Sequence, residues 1–313
     1  AVQSLNQRFI MSITSIQSQY PNAIWFDSNH GGTNAGTLTN PYTSMATAIA
    51  AVTSNNNVIA VLDGSHTVPQ SDLGGSTTTS TISLGGTADT LHLIGESLNA
   101  ILNTSGDYMG GIINLQSTAY DLILETLKIT HDSNATQHMG LIMGSKAITV
   151  DKCAIEISAN TYGATTFRGM FAAEGGNSQS GLDNILTVTN STIQVGSTGT
   201  YGMLVGGHFQ YWDAATITGN TIVKVGSAGT RLYSHTYTAL LPSIFKNNIF
   251  VGTLGTEVFQ HTPATNSNNC FSNTGISSGG TDNIFVDPQF VDATNANYRL
   301  RPSSPCINAG TAS

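Results

Sequence analysis

The feature that most limits what this chain can become is a six-residue unit that returns along it. The unit reads Leu124-Glu-Thr-Leu-Lys-Ile129, Val150-Asp-Lys-Cys-Ala-Ile155, Val188-Thr-Asn-Ser-Thr-Ile193, Ile217-Thr-Gly-Asn-Thr-Ile222 and Ile244-Phe-Lys-Asn-Asn-Ile249. The starts lie 26, 38, 29 and 27 residues apart. A β-helical coil takes roughly 20 to 30 residues, so these are successive coils and the longest step carries an insertion. Apolar first and last positions would stack along an interior while the polar middle turns a corner. Each coil of a solenoid packs only on its neighbours, so 313 residues need no second domain.

A second element keeps the same phase. Thr136-Gln137, Thr161-Tyr162, Thr200-Tyr201, Thr230-Arg231 and Thr256-Glu257 follow the strands at spacings of 25, 39, 30 and 26. Equal phase in a solenoid means equal face, so Gln137, Tyr162, Tyr201, Arg231 and Glu257 are expected in one column. Before the coils, Leu5, Phe9, Ile13, Ile16 and Tyr20 step by four, four, three and four and stop at Pro21, the periodicity of an amphipathic helix. Such a helix would cap the open end of the solenoid or pack on a partner subunit. A second short helix is expected over Met45 to Val52, then a strand from Val58 to Leu62.

Composition narrows the setting. Only 9% of residues are charged, against about a quarter in an average soluble protein, so Ser, Thr, Asn and Gly make the polar surface. A net charge of −8 offers no basic patch, which argues against nucleic acid and anionic membranes as partners. No apolar stretch is long enough to span a bilayer, and the start lacks a basic region followed by an apolar run. Cys153, Cys270 and Cys306 match neither a dense disulfide framework nor a metal pattern; a Cys270 to Cys306 bridge stays open. No metal or other cofactor is implied.

Two segments carry a resemblance. Ile24-Trp-Phe-Asp-Ser-Asn-His-Gly-Gly-Thr-Asn-Ala-Gly36, Asn40-Pro-Tyr-Thr-Ser-Met-Ala-Thr-Ala-Ile49 and Val58-Ile-Ala-Val-Leu-Asp-Gly64 resemble the opening segment of pectate-lyase-like right-handed β-helix proteins. Asn269-Cys-Phe-Ser-Asn273, Asp287-Pro-Gln-Phe-Val-Asp292, Tyr298-Arg-Leu300 and Ser304-Pro-Cys-Ile-Asn-Ala-Gly310 resemble the closing segment of secreted bacterial β-helix proteins and some phage proteins. The resemblance implies an all-β, single-stranded right-handed parallel β-helix over residues 23–285. A capping helix would occupy 1–22 and a closing segment 286–313. It specifies activity poorly, because the superfamily spans polysaccharide lyases, hydrolases, phage tailspikes and inert surface proteins.

Chemistry is harder to read. A lyase of this fold would be expected to use Lys or Arg as base with calcium on clustered carboxylates, and the acids here are scattered. A glycoside hydrolase needs two carboxylates roughly 5 to 9.5 Å apart, and stacked coils offer such spacings. Glu174, Asp213 and Glu257 are the acids nominated near the loop face. Asp151-Lys152 reads as an exposed ion pair on a turn, Asp27 with His30 as turn formers, and His131-Asp132 as loop. The stronger signal is aromatic: His208-Phe-Gln-Tyr211-Trp212-Asp213, then Arg231, Tyr233, His235 and Tyr237, preceded by Tyr162, Phe167 and Arg168. Aromatic faces among neutral hydrogen-bonding groups suit sugar rings, and they equally suit a subunit interface. Tyr162, Arg168, Tyr201, His208, Tyr211, Trp212, Arg231, Tyr233 and Tyr237 are therefore the expected glycan-binding or interface residues.

The leading expectation is a virion β-helix of the tailspike, fibre or capsid-decoration kind, extracellular or on the virion surface. Resemblance to tailspikes implies a homotrimer beside other virion proteins, engaging a cell-surface polysaccharide. Rival readings are a secreted polysaccharide lyase or glycoside hydrolase and a bacterial surface or adhesive protein.

Overall fold

A computed structural model describes residues 11–73, 82, 84, 88–105, 113–114, 120–132, 142–144, 146–157, 171–173, 185–196, 202–207, 214–225, 230–235, 243–252, 259, 263, 265–272 and 280–311. Among these the chain is all-β with mostly parallel strands, compatible with the parallel β-helix expected from the repeats. Sheet 1 stacks nine parallel strands in chain order, from Ile24–Phe26 through Asp121–Glu125, Ile148–Asp151, Ile185–Thr189, Ala214–Thr218 and Ser243–Lys246 to Thr265–Ser267. Sheet 2 stacks nine more, from Gly64–Thr67 through Lys128–Asp132, Ala154–Ile157, Thr192–Gly196, Thr221–Val225 and Ile249–Val251 to Ile284–Phe285. Sheet 3 has five, Ile113–Asn114, Ile142–Gly144, Phe171–Ala173, Gly202–Gly207 and Thr230–His235. From Thr90 to His235 the chain visits sheets 1, 2 and 3 in rotation, each visit laying one strand beside its predecessor.

Register turns this rotation into rows of like residues. On sheet 1, Ile24, Ile59, Leu93, Leu124, Val150, Val188, Ile217 and Phe245 stand in one row facing the core. On sheet 2 the matching row runs Leu102, Ile129, Ile155, Ile193, Ile222, Phe250 and Phe271, with Phe285 beyond it. Phe250, Phe271 and Phe285 stack with centroids 4.9 and 5.5 Å apart. The rows correct the last repeat. The core positions are Phe245 and Phe250, while Ile244 is 37% exposed and Ile249 faces outward. Both positions of each pair are apolar, so pattern alone does not choose between them.

What does choose is the corner between sheets 1 and 2. Thr126, Lys152, Asn190, Gly219, Asn247, Asn268 and Asp282 all have φ between 51° and 69° there, one per coil. Left-handed backbone favours Asn and Gly, which hold four of the seven places. The next residue in each coil is Leu127, Cys153, Ser191, Asn220, Asn248, Asn269 or Asn283, and from Cys153 onward they form a ladder. Cys153 N–H donates to Ser191 Oγ (3.0 Å), Ser191 N–H to Asn220 Oδ1 (2.9 Å) and Asn220 N–H to Asn248 Oδ1 (3.0 Å). Asn248 N–H donates to Asn269 Oδ1 and Asn269 N–H to Asn283 Oδ1, both at 2.9 Å. Buried backbone donors at a tight corner need such partners, and side-chain amides of the next coil supply them.

Of the first expected helix, Leu5 and Phe9 lie outside the described residues and Ile13–Gln19 is helical; the second expected helix forms over Met45–Ala50. Helix α1, Ile13–Gln19, starts on an N-cap in which Ser12 Oγ accepts from Ser15 N–H. Its buried Ile16 packs with Trp25, Val58, Ala60 and Ile94, on the outward face of the first sheet 1 strands. The described helix α1 therefore covers an outer face of sheet 1. Helix α2, Met45–Ala50, is the one that reaches the interior, through Met45, Ala48 and Ile49. Continuous burial across Ile24–Phe26 and Val58–Val61 reflects covering on both faces. At the other end, the antiparallel pair Phe290–Asp292 and Asn297–Leu300 packs on the outward face of sheet 2, with Val223, Ile249, Cys270 and Ile284. Asn247 and Thr311 exchange two hydrogen bonds, at 2.9 and 3.0 Å, which tie the closing segment to the corner.

Candidate functional site

The expected aromatic column falls largely outside the described residues: Gln137, Tyr162, Arg168, Tyr201, His208, Tyr211, Trp212, Tyr237 and Glu257 lie there, as do Glu174 and Asp213. Arg231 and Tyr233 are described as backbone in Thr230–His235. Register pairs Arg231 with Met203 and Tyr233 with Val205, so Arg231 sits two residues out of the phase expected against Tyr201. Val205 in turn pairs with Phe171, which is buried in the core.

Three clusters of titratable groups bear on the residues considered for chemistry. The first joins Asp27, Ser28 and His66. His66 is fully buried at the head of the sheet 2 core row, its ring 5.3 Å from that of Phe26. Its Nε2 lies 2.8 Å from the Leu62 carbonyl, which only accepts, so Nε2 carries the hydrogen. Nδ1 then accepts from Ser28 N–H at 3.2 Å, with Ser28 Oγ also 3.2 Å away and Asp27 Oδ1 3.6 Å away. A nucleophile–base–acid relay places serine and acid on opposite ring nitrogens, whereas here both meet Nδ1. Asp27 acts in the turn as expected, its Oδ1 accepting from Asn29 N–H at 2.9 Å.

The second cluster corrects His131-Asp132 from loop to strand, within Lys128–Asp132. The apolar and polar alternation Lys-Ile-Thr-His continues the strand, and His131 pairs in register with Thr104 and Ile157. Thr104 Oγ1 donates to the Thr130 carbonyl at 3.0 Å, so His131 Nδ1 donates to that hydroxyl, also at 3.0 Å. The third cluster lies on the outer face of sheet 1 beside α1. His92 Nε2 is 3.3 Å from Glu125, and Tyr20 sets its ring edge-on to His92 at 5.3 Å. Burial, with Glu125 nearby, pushes the Tyr20 phenol up. Asp151, next to Glu125 in register, meets Lys152 at 2.9 Å in the ion pair expected on this turn. Burial pushes the Asp151 carboxyl up, but hydrogen bonds from Lys152, Thr189 and Asn190 outweigh it and hold the group below its ordinary value. Glu125 and Asp151 thus stand side by side on one face, each beside a cationic or imidazole partner, rather than across a bond to be cleaved.

A cleft of about 790 Å³ opens where α1, the first strand and the loops at 35–39 and 51–56 meet. Gln17, Asn22, Asn55 and Asn56 bring four primary amides to it, Thr37 and Thr39 bring hydroxyls, and Trp25 and Tyr42 bring aromatic rings. Every described lining residue is uncharged at neutral pH. Trp25 is held in place by the cover of α1, and Tyr42 by Trp25, since Tyr42 N–H donates to the Trp25 carbonyl at 2.8 Å. Asn56 closes a turn with Thr53 through backbone hydrogen bonds of 2.9 and 3.0 Å, and its side-chain Oδ1 is buried without a partner among the described residues. Sequence reading did not assemble this cleft, because its residues come from five separate stretches; the Asn-rich run at 55–57 was its one local signal. Among the described residues no three His, Cys, Asp or Glu side chains converge to hold a metal ion.

Compared with known proteins, the chain matches no protein-family model, no curated protein and no solved structure.

Proposed function

We propose that the chain is a right-handed parallel β-helix acting outside the cytoplasm as a receptor-binding structural module of a virion surface, trimeric and engaging a neutral host glycan. The observation that carries the ligand class is the amide-lined cleft. A primary amide pairs donors with an acceptor, the complement of vicinal hydroxyls, and Asn56 is one of the four that line the cleft. Uncharged walls favour a neutral sugar over a uronic or phosphorylated one. The virion setting draws support from the likeness of the opening and closing segments to phage and secreted β-helix proteins, and from the sparsely charged composition.

The test couples solution mass by light scattering to binding and cleavage assays over a polysaccharide panel. A trimer that binds neutral glycans without releasing sugar supports the reading. Asn56→Asp should weaken that binding about tenfold, the loss of roughly 1.4 kcal/mol expected when one well-placed polar contact turns repulsive. A monomer that liberates reducing ends or unsaturated sugars overturns it in favour of an enzyme. Unchanged affinity in Asn56→Asp with loss in Trp212→Ala moves the ligand to the aromatic segment and refutes the cleft.

A further inference from the structure

Near the end of sheet 2 an outward-facing cysteine is covered by another from the closing segment. In Cys270–Phe271, Phe271 occupies the core row, so Cys270 points out of the sheet beside Ile249 and Ile284. It is nevertheless only 3% exposed, because Phe290, Tyr298 and Cys306 lie across it. Cys306 is 2% exposed, and its position is set by its own turn. Ser304 Oγ donates to the Pro288 carbonyl at 2.5 Å and accepts from Cys306 N–H at 3.2 Å. The two sulfurs face each other at 2.7 Å. Even the smaller carbon atoms rest about 3.5 Å or more apart when unbonded, so a pair of separate thiols does not fit this space.

We propose that Cys270 and Cys306 are joined by a disulfide that fastens the closing segment over the last coils. The reaction consumes two thiols and one disulfide of an external thiol–disulfide carrier. One thiolate attacks the carrier and expels its first thiol; the second thiolate then displaces the other from the mixed disulfide. Two protons leave the cysteines and two electrons pass to the carrier. Cys153 takes no part: it is buried in the corner ladder, where loss of solvent pushes its thiol up to about 12. The bridge stands apart from the glycan reading and survives its failure. Disulfides belong to oxidising compartments, so it places the mature protein in one.

The test is thiol counting by mass spectrometry on the whole chain, equilibrated natively with a mixture of oxidised and reduced glutathione, then denatured and alkylated. The expected result is one adduct without reductant and three with it, with a linked peptide pair joining Cys270 to Cys306. Cys153→Ser should keep that crosslink and lose the remaining adduct. Cys306→Ser should give two adducts, and trypsin should cut after Arg299 faster than in the oxidised wild type, as reduction should also make it do. Three adducts in the wild type across all oxidising mixtures, or a crosslink involving Cys153, overturns the proposal.

Discussion

Asn248→Ala is the substitution that most directly tests how the coils are joined. Asn248 Oδ1 accepts from Asn220 N–H at 3.0 Å and from Asn220 Nδ2 at 3.1 Å. Its own Nδ2 donates to the Ile217 carbonyl at 2.8 Å and to Asn269 Oδ1 at 3.0 Å. Truncation removes all four. Asn220 Nδ2 keeps the Val188 carbonyl and Asn269 Oδ1 keeps the Asn248 N–H, so the group left bare is the Asn220 backbone N–H, at a fully buried corner. Three of these hydrogen bonds contribute about 1 kcal/mol each, and the stranded buried donor of the fourth costs about 1–3, which gives a loss of about 4–6 kcal/mol. The assay is guanidinium unfolding at 25 °C, with refolding checked first. Asn248→Ser is the graded control. Ser191 already fills the equivalent rung, its Oγ accepting from Cys153 N–H, so serine should recover the acceptor and about half the loss. Asn248→Asp should be at least as harmful as alanine at neutral pH, since a carboxylate oxygen would then face both the Ile217 carbonyl and Asn269 Oδ1. A cost below about 1 kcal/mol for alanine, or a wild-type midpoint for aspartate, would refute the ladder as the joint between coils.

The corner conformation gives a second outcome: Gly219→Ala, at φ 69°, should cost about 1–2 kcal/mol, while Gly219→Asn should be nearly neutral because Asn190 and Asn247 hold the same place in neighbouring coils. Equal midpoints for alanine and wild type would refute the strain argument. Asp151 gives a pH dependence. Its folded value is depressed, so its stabilisation is complete above the ordinary carboxylate range and is lost as pH falls through the folded value. Urea midpoints should therefore decline below about pH 4 and decline less in Asp151→Asn; identical pH profiles would show that the Lys152, Thr189 and Asn190 contacts do not discriminate protonation states. If the closing segment is bridged, reduction should lower stability by about 4 kcal/mol, from closing a loop across a separation of 36 residues.

The fold was legible in this sequence where a residue type has one physical use. Leu124, Val150, Val188 and Ile217 could only face a core, and their spacing gave the coils before any geometry was known. The reading slipped at Ile244-Phe245 and Ile249-Phe250, where two apolar neighbours compete for one inward position. The register there is set by Asn248, because only one alignment brings its amide beneath the Asn220 N–H and above Asn269. A polar residue in the middle of the repeat thus decides which apolar residues are core. The helix over Ile13–Gln19 was likewise plain from its period, but its berth was written elsewhere, in outward-facing Trp25, Val58, Ala60 and Ile94 that would otherwise meet water. The candidate cleft was the least legible element for the same reason. Gln17, Asn22, Thr37, Tyr42 and Asn56 have ordinary local roles as helix, turn and loop residues, and they acquire a shared one only because α1 lies on the outer face of sheet 1. The covered outer face, an incidental matter for core stability, is what gives this end of sheet 1 a concave surface, and the ligand proposal depends on it: disrupting Ile16 would remove the cleft while leaving the interior rows of both large sheets intact.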